Sequence, residues 1–222
     1  MKKIAVIHTD FPEKFGVPRQ SGLVPELKGE IIFEKEYAVN EAVRGLEEYS
    51  HIWLLWEFDR NESKEWSPTV RPPRLGGDKR MGVFATRSPF RPNSIGMSVV
   101  KLDKVEIRSG VGPVLLVSGI DLVDKTPIID IKPYLPHVDS VKDAVGGFAE
   151  RVKDYSLKVE ASEEVLKELP KDMVEPLLKV LSNDPRPSYQ NDPERVYGML
   201  YGAYNVKFTV SNGILSIKNI EK

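Results

Sequence analysis

The chain contains no cysteine and only three histidines, His8, His51 and His137, among its 222 residues. The first absence excludes disulfides, thiolate catalysis and cysteine-bound zinc or iron–sulfur centres, and the second argues against a histidine-rich metal site, so no metal is expected. No long uninterrupted apolar run occurs, and Met1 is not followed by a basic, then apolar, then small-residue leader. Neither a membrane span nor a signal peptide is therefore expected, and the cytoplasm is the expected compartment. Two phosphate-binding glycine motifs are missing as well, because Gly76-Gly77 fits neither G-x-G-x-x-G nor G-x-x-x-x-G-K-[ST]. With no helices alternating between the strand-like segments, a doubly wound sheet is also excluded.

What is present reads as a soluble globular chain, 41% hydrophobic and 29% charged. Up to Gly147 it is mainly strand-like. "KKIAVIHT", "GEIIFEKEYA", "HIWLLWEF", "SVVKLDKVEI" and "VLLVSGIDLV" are short apolar or alternating runs, separated by turn chemistry such as "RSGVGP". "VNEAVRGLEEYS" fits a short helix, and Asp59 to Arg80 reads as a long loop. Many short strands with turns argue for an antiparallel barrel or sandwich. Beyond Gly147, "EEVLKELPKDMVEPLLKVLSN" has helical spacing, with Pro170 and Pro176 dividing it or starting new turns. "YNVKFTVSNGILSIKNI" alternates and carries the hairpin pair Asn212-Gly213. The expected organisation is mainly β: a barrel domain over residues 1–147 and a small α+β appendage over 148–222.

The stretch "MGVFATRSPFRPNSIGMSVV" places Arg87 and Arg91 on a loop that Pro89 and Pro92 keep out of helical geometry, between runs suited to strands at Met81 to Ala85 and Met97 to Leu102. Guanidinium forks on a stiff loop suit a carboxylate or phosphate, although surface ion pairing is the commoner fate of an arginine. From Arg71 to Arg91 there are six basic residues, Arg71, Arg74, Lys79, Arg80, Arg87 and Arg91, against the single acid Asp78, a local net charge of +5. Such a cluster attracts nucleic acid, or else forms a solvated face balanced by acids folded nearby.

A second segment, "SGIDLVDKTPIIDIKPYLPHVDS", supplies Asp121, Asp124 and Asp130 beside Lys125 and Lys132. Its carboxylates suit Mg²⁺, general-base work or ligand hydroxyls, while capping and pairing with the lysines is the plainer reading of each. Near the start, "FGVPRQSGLVPEL" makes a rigid turn that offers the Gln20 amide to a flat polar ligand. His51, beside an aromatic strand, reads as a hydrogen-bonded core residue more than a catalyst, while Tyr134 and His137 either face the same pocket or simply pack.

Together "FGVPRQSGLV", "AVRGLEEYSHIWLL", "RPPRLGGDKRMGVFATRSPFRPNSIG" and "DLVDKTPIIDIKPYLP" resemble the TrmO family, also called TsaA-like or YaeB-like, across Ile4 to Pro136. "NDPRPSY" followed by "VYGMLYGAYNVKFTV" resembles the C-terminal domain of its bacterial members. The resemblance implies a homodimeric β-barrel tRNA N6-methyltransferase that uses S-adenosylmethionine, with the threonylcarbamoyl-modified adenosine 3′ of the anticodon as acceptor. By position it implies cofactor contacts at Pro18, Arg19 and Gln20, at Arg60 and Asn61, at Arg87 and Met97, and at Ser118, Gly119, Ile120 and Asp121. Within that frame Arg87 is expected to hold the methionyl carboxylate, backbone carbonyls near Gly119 the ammonium, and the Trp53 strand to supply an apolar wall. Asp121 or Asp124 would take the proton from the acceptor nitrogen, and Arg71, Arg74, Lys79, Arg80 and Arg91 would hold tRNA. Two other classes compete: a non-catalytic S-adenosylmethionine sensor or RNA-binding regulator, and a Mg²⁺-dependent phosphohydrolase built on the aspartates.

Overall fold

The computed structural model describes residues 1–60, 66–72, 79–150, 154–187, 190 and 192–222. Strands β1 (Ala5–Thr9), β2 (Lys28–Phe33), β3 (His51–Glu57), β6 (Ile95–Arg108), β7 (Gly112–Ser118) and β8 (Thr126–Pro133) close into a barrel in the order β1-β2-β7-β6-β3-β8. Every neighbouring pair is antiparallel, and closure through β1 and β8 leaves no free edge. Two short strands, β4 (Thr69–Val70) and β5 (Met81–Gly82), pair with each other outside the barrel.

Alternation along the strands puts one set of side chains inside. Ile7, Ile31, Ile52, Leu54 and Leu115 are fully buried there, with Ser98, Val100 and Leu102 from β6. At about 25 cal/mol per Å² of apolar surface, each large aliphatic residue so buried contributes roughly 2 kcal/mol.

Four differences from the sequence reading stand out. The segment expected as a helix before β3 is two 3₁₀ turns, Asn40–Val43 and Leu46–Glu48, parted by Gly45 at φ +83, a conformation no helix continues through. The apolar run after Arg80 stays extended only for Met81–Gly82 and then curls into a 3₁₀ turn at Val83–Ala85. The aspartate-rich segment, expected only as a carrier of carboxylates, contains β8, whose Ile128 is fully buried while Asp130 pairs outside with Lys132 at 2.8 Å. Pro176 does not interrupt its helix. It is buried within a continuous turn and leaves only the carbonyl of the first turn without its donor.

After the short helices α1 (Pro136–Asp139) and α2 (Gly147–Glu150), the chain forms a four-stranded sheet in the order β10 (Tyr197–Tyr201), β11 (Tyr204–Ser211), β12 (Ile214–Glu221) and β9 (Lys158–Glu160). Helices α3 (Glu163–Leu166) and α4 (Lys171–Ser182) accompany it, α4 burying Leu177, Val180 and Leu181. Asn212 and Gly213, both at positive φ, turn β11 into β12 as their sequence predicts.

The β1–β2 loop binds this sheet to the barrel. Phe15 stacks on Phe208 with ring centroids 6.4 Å apart, Phe11 meets Tyr201 at 5.5 Å, and the Gly202 amide donates to the Asp10 carbonyl at 2.6 Å. Gly16 lies so close to the Met199 thioether that a Cβ there would sit 2.4 Å from the sulfur. Among the described residues no helix is long and apolar enough to cross a membrane.

Candidate active site

The β1–β2 loop, the end of β3, the arginine loop and the segment after β7 meet around a cavity of about 560 Å³. Its walls are Trp56 and Phe58 from β3 and beyond, Pro18, Arg19 and Gln20 from the first loop, Arg87, Phe90 and Arg91 from the arginine loop, Met97 from β6, Arg60, and Asp121. Residues far apart in sequence therefore line one site. Cα pairing across β3 and β6 brings Trp56 opposite Gly96, and on the other side of β3 the pairing skips Ile129, the bulged residue of β8.

The arginine loop is braced by one of its own arginines. Arg91 donates from Nη1 to the carbonyls of Val83 at 3.1 Å and Thr86 at 2.7 Å, and its guanidinium lies 5.6 Å from the centre of the Phe84 ring. Arg87, held on that frame, reaches across and donates to the Gln20 side-chain oxygen.

Asp121 is a buried carboxylate in the cavity wall, which Glu57 and Asp59 also line. Its Oδ1 accepts from Ser98 Oγ at 2.6 Å, and Ser98 Oγ in turn accepts from Trp56 Nε1 at 3.0 Å. Burial pushes the Asp121 carboxyl up to about 6, against the opposing pull of the Ser98 hydroxyl, the Ser21 and Asp121 amides, and the Arg87 charge. Ser21 also fastens its loop to β6, accepting from the Val99 amide at 3.2 Å.

Other expected site residues lie elsewhere. The Asp124 carboxylate is turned away from the cavity, with Oδ1 3.1 Å from His8 Nδ1 and accepting from the Thr9 amide at 3.2 Å. Ser118 Oγ donates to Asp103 at 3.1 Å, and Ile120 is packed in the core. The Gly119 carbonyl, expected to face a ligand ammonium, accepts from the Gly22 amide at 2.9 Å. Arg60 lines the cavity but spends its guanidinium on the carbonyls of Pro12 and Asp124. Arg19 lines it too, with Nη2 3.1 Å from both the Asp184 and the Arg186 carbonyls beyond β9. Arg71, Lys79 and Arg80 are exposed, Arg80 donating to Thr69 Oγ1 at 2.7 Å. Asn61 and Arg74 lie outside the described residues.

The Trp53 strand, expected to supply an apolar wall, does so through Trp56. Trp53 points outward, donating to Asp139 at 3.0 Å and tilting against Tyr134 at 5.9 Å. His51 lies near the same Tyr134 ring and Ser50, away from the cavity. Ser98 had no signal of its own in the sequence. The period-2 pattern Gly96, Ser98, Val100 was the available one, since it places a hydroxyl on the inward face of a strand. Among the described residues no group of three or more His, Asp or Glu side chains is arranged to hold a metal ion.

Two family models match the chain: the tRNA-methyltransferase O N-terminal domain over residues 6–140 and the TrmO C-terminal domain over 154–222. A protein of Escherichia coli K12 named tRNA (adenine(37)-N6)-methyltransferase is 42% identical, the match covering 99% of this chain and 97% of that one. A Pseudomonas aeruginosa protein named as a putative S-adenosylmethionine-dependent methyltransferase is also 42% identical, over 88% of this chain and 86% of its own. A crystal structure of TrmO superposes with a TM-score of 0.79 at 35% identity, covering 99% of this chain and 97% of that one.

Proposed function

The chain belongs to the TrmO family, and from that premise we propose that it methylates tRNA, taking the methyl group from S-adenosylmethionine and placing it on N6 of the threonylcarbamoyl-modified adenosine 3′ of the anticodon. One observation carries this reading. A guanidinium, Arg87, and a carboxylate, Asp121, come from separate loops to line one aromatic-walled cavity, where the Arg87 charge acts on Asp121.

The cavity suits the cofactor. Its volume of about 560 Å³ falls within the range of small-molecule sites, roughly 300–1,000 Å³. Arg87, oriented by Gln20, fits a carboxylate, and Trp56 and Phe58 offer apolar faces. When bound, the sulfonium supplies an electrophilic methyl group: its C–S bond breaks as the new C–N bond forms, and the bonding pair stays on sulfur. The protein's share is to align the reactants, exclude water and receive the N6 proton. Asp121 receives it, since its carboxyl lines the cavity and burial raises its proton affinity; the Asp124 carboxylate is turned away to His8.

Exposed Arg71, Lys79 and Arg80 hold tRNA phosphates, together with Arg74 of the same basic run, which lies outside the described residues. Arg91 supports the loop they adjoin. Phe84, Ile95 and Met97 stay exposed near the mouth, at 72%, 37% and 43%, and would be covered by a second copy in a homodimer. A cytoplasmic site of action follows from the substrate, and Gly147 is taken as the end of the barrel domain.

The test is incubation with methyl-labelled S-adenosylmethionine and bulk tRNA, half of it from cells unable to make the threonylcarbamoyl modification. Label confined to the modified tRNA is the expected result. Cofactor binding without label in either pool would favour a non-catalytic sensor. In D121N, the methylation rate should fall at least a hundredfold while cofactor affinity changes little. Equal losses in both would assign Asp121 to the cofactor ammonium instead.

A further inference from the structure

Asp121 does not stand alone in the cavity wall. Trp56 Nε1 donates to Ser98 Oγ at 3.0 Å, and Ser98 Oγ donates to Asp121 Oδ1 at 2.6 Å, so two donors run in one direction towards one carboxylate oxygen. Ser98 is 1% exposed, and its hydroxyl has given its one hydrogen to Asp121 and accepted one from the indole. A hydroxyl polarised by one donor becomes a stronger donor itself.

The backbone is shaped to allow this chain. Trp56 lies across the barrel wall directly over Gly96, where an added Cβ would fall 2.3 Å from the indole Cε2. Any side chain at 96 would displace the ring. On the other side of β3 the pairing steps from Leu55–Asp130 to Trp56–Ile128, leaving Ile129 of β8 as the bulged residue opposite Trp56's strand. Ser98 is two residues along β6 from Gly96 on the same inward face, within reach of Nε1. A glycine and an inward hydroxyl thus serve one geometry.

We propose that Trp56, seated over Gly96, and Ser98 are positioning residues that fix Oδ1 of Asp121 and set the proton affinity of its carboxyl. The chain is inferred for the same site as the methyltransferase reading and rests on it only for what Asp121 then does. The Ser98 hydroxyl favours the charged carboxylate against the cost of its burial, and Trp56 acts through that hydroxyl. Other charges share the cavity. Arg87 acts on Asp121 directly. Lys14, Arg19, Arg60 and Arg91 line the walls with the acids Glu57 and Asp59, and each is left untouched by the variants below.

The test separates the chain from the chemistry. Carboxyl carbons of aspartate are labelled with ¹³C in the full-length protein, and the Asp121 resonance is identified by its absence in D121N. Its titration is then followed in wild type, S98A, S98T and W56F, beside the pH dependence of single-turnover methylation. A hydrogen bond to a charged group is worth roughly one pH unit or more, so S98A should move the midpoint upward by about one unit. W56F, which keeps an aromatic ring over Gly96, should move it the same way by less, and S98T should restore it. The acidic limb of the rate profile should follow each shift. An unmoved midpoint in folded S98A and W56F would overturn the proposal, as would S98T behaving like S98A. A midpoint that moves while the rate profile stays put would support the chain and remove Asp121 from the proton transfer.

Discussion

Arg87 donates from Nη1 to the side-chain oxygen of Gln20, a residue 67 positions earlier in the chain. The bond joins the arginine loop to the β1–β2 loop across the cavity, so the guanidinium is oriented before any ligand arrives. Its remaining donors are the part offered to an anion. R87A should therefore weaken cofactor binding by roughly 10- to 100-fold, as loss of a charge-assisted bond implies, and R87K should recover little of it because an ammonium has no fork. Q20A should cost less, and Q20A with R87A should cost no more than R87A alone. Titration calorimetry with S-adenosylmethionine gives all four affinities; additive losses would mean that the two side chains act separately.

Arg19 answers to the C-terminal sheet more than its place in the cavity suggests. Its Nη2 lies 3.1 Å from each of two carbonyls, of Asp184 and Arg186, which belong to a segment where Arg186 also pairs with Asp184 at 2.9 Å. R19A should lower stability by about 2 kcal/mol through loss of these charge-assisted bonds, with R19K between it and wild type. Urea unfolding measures this. A variant as stable as wild type but poor in cofactor binding would place Arg19 with the ligand instead.

Stability should carry the signature of Asp121. Its carboxyl holds a proton up to about pH 6 in the folded protein, against a normal value of 3.8. The native state thus binds more protons than the unfolded chain between these values, and stability falls as pH rises through that window, then levels off. A difference of roughly two pH units corresponds to about 3 kcal/mol. D121N has no such group, so its stability relative to wild type should improve by about that amount between pH 4 and pH 8. Parallel curves for the two proteins over this range would contradict the raised value.

Lys79 and Arg91 should separate by the kind of damage their loss does. Lys79 is exposed, whereas Arg91 is bonded to the carbonyls of Val83 and Thr86. K79A should weaken tRNA binding and reduce the slope of log affinity against log salt by about 0.7 to 0.9, with melting unchanged. R91A should instead lower the melting temperature and loosen the cofactor site. Filter binding at several salt concentrations, beside thermal melts, distinguishes them.

The sequence by itself determined much of this protein. Alternating runs and turns were enough for a mainly antiparallel β fold, because burial on one face of a strand demands a period of two. The TrmO resemblance rested on local motifs, and the expected meeting of Pro18, Arg19, Gln20, Arg87, Met97 and Asp121 agrees with the cavity they line. What lay beyond it depended on the direction of side chains after the barrel closed. "DLVDKTP" offers two aspartates three residues apart, and no pattern in the segment says that Asp121 faces the cavity while Asp124 turns to His8. Gly119 at φ +74 and Lys125 at φ +65 bend the chain on either side of them, and such turns set each carboxylate by dihedral angles, not by composition. Trp53 and Trp56 differ likewise by strand parity. Ser98 gains its meaning only from Trp56 and Asp121, 42 and 23 residues away, because a hydrogen-bonded chain is a property of distances that only tertiary packing defines.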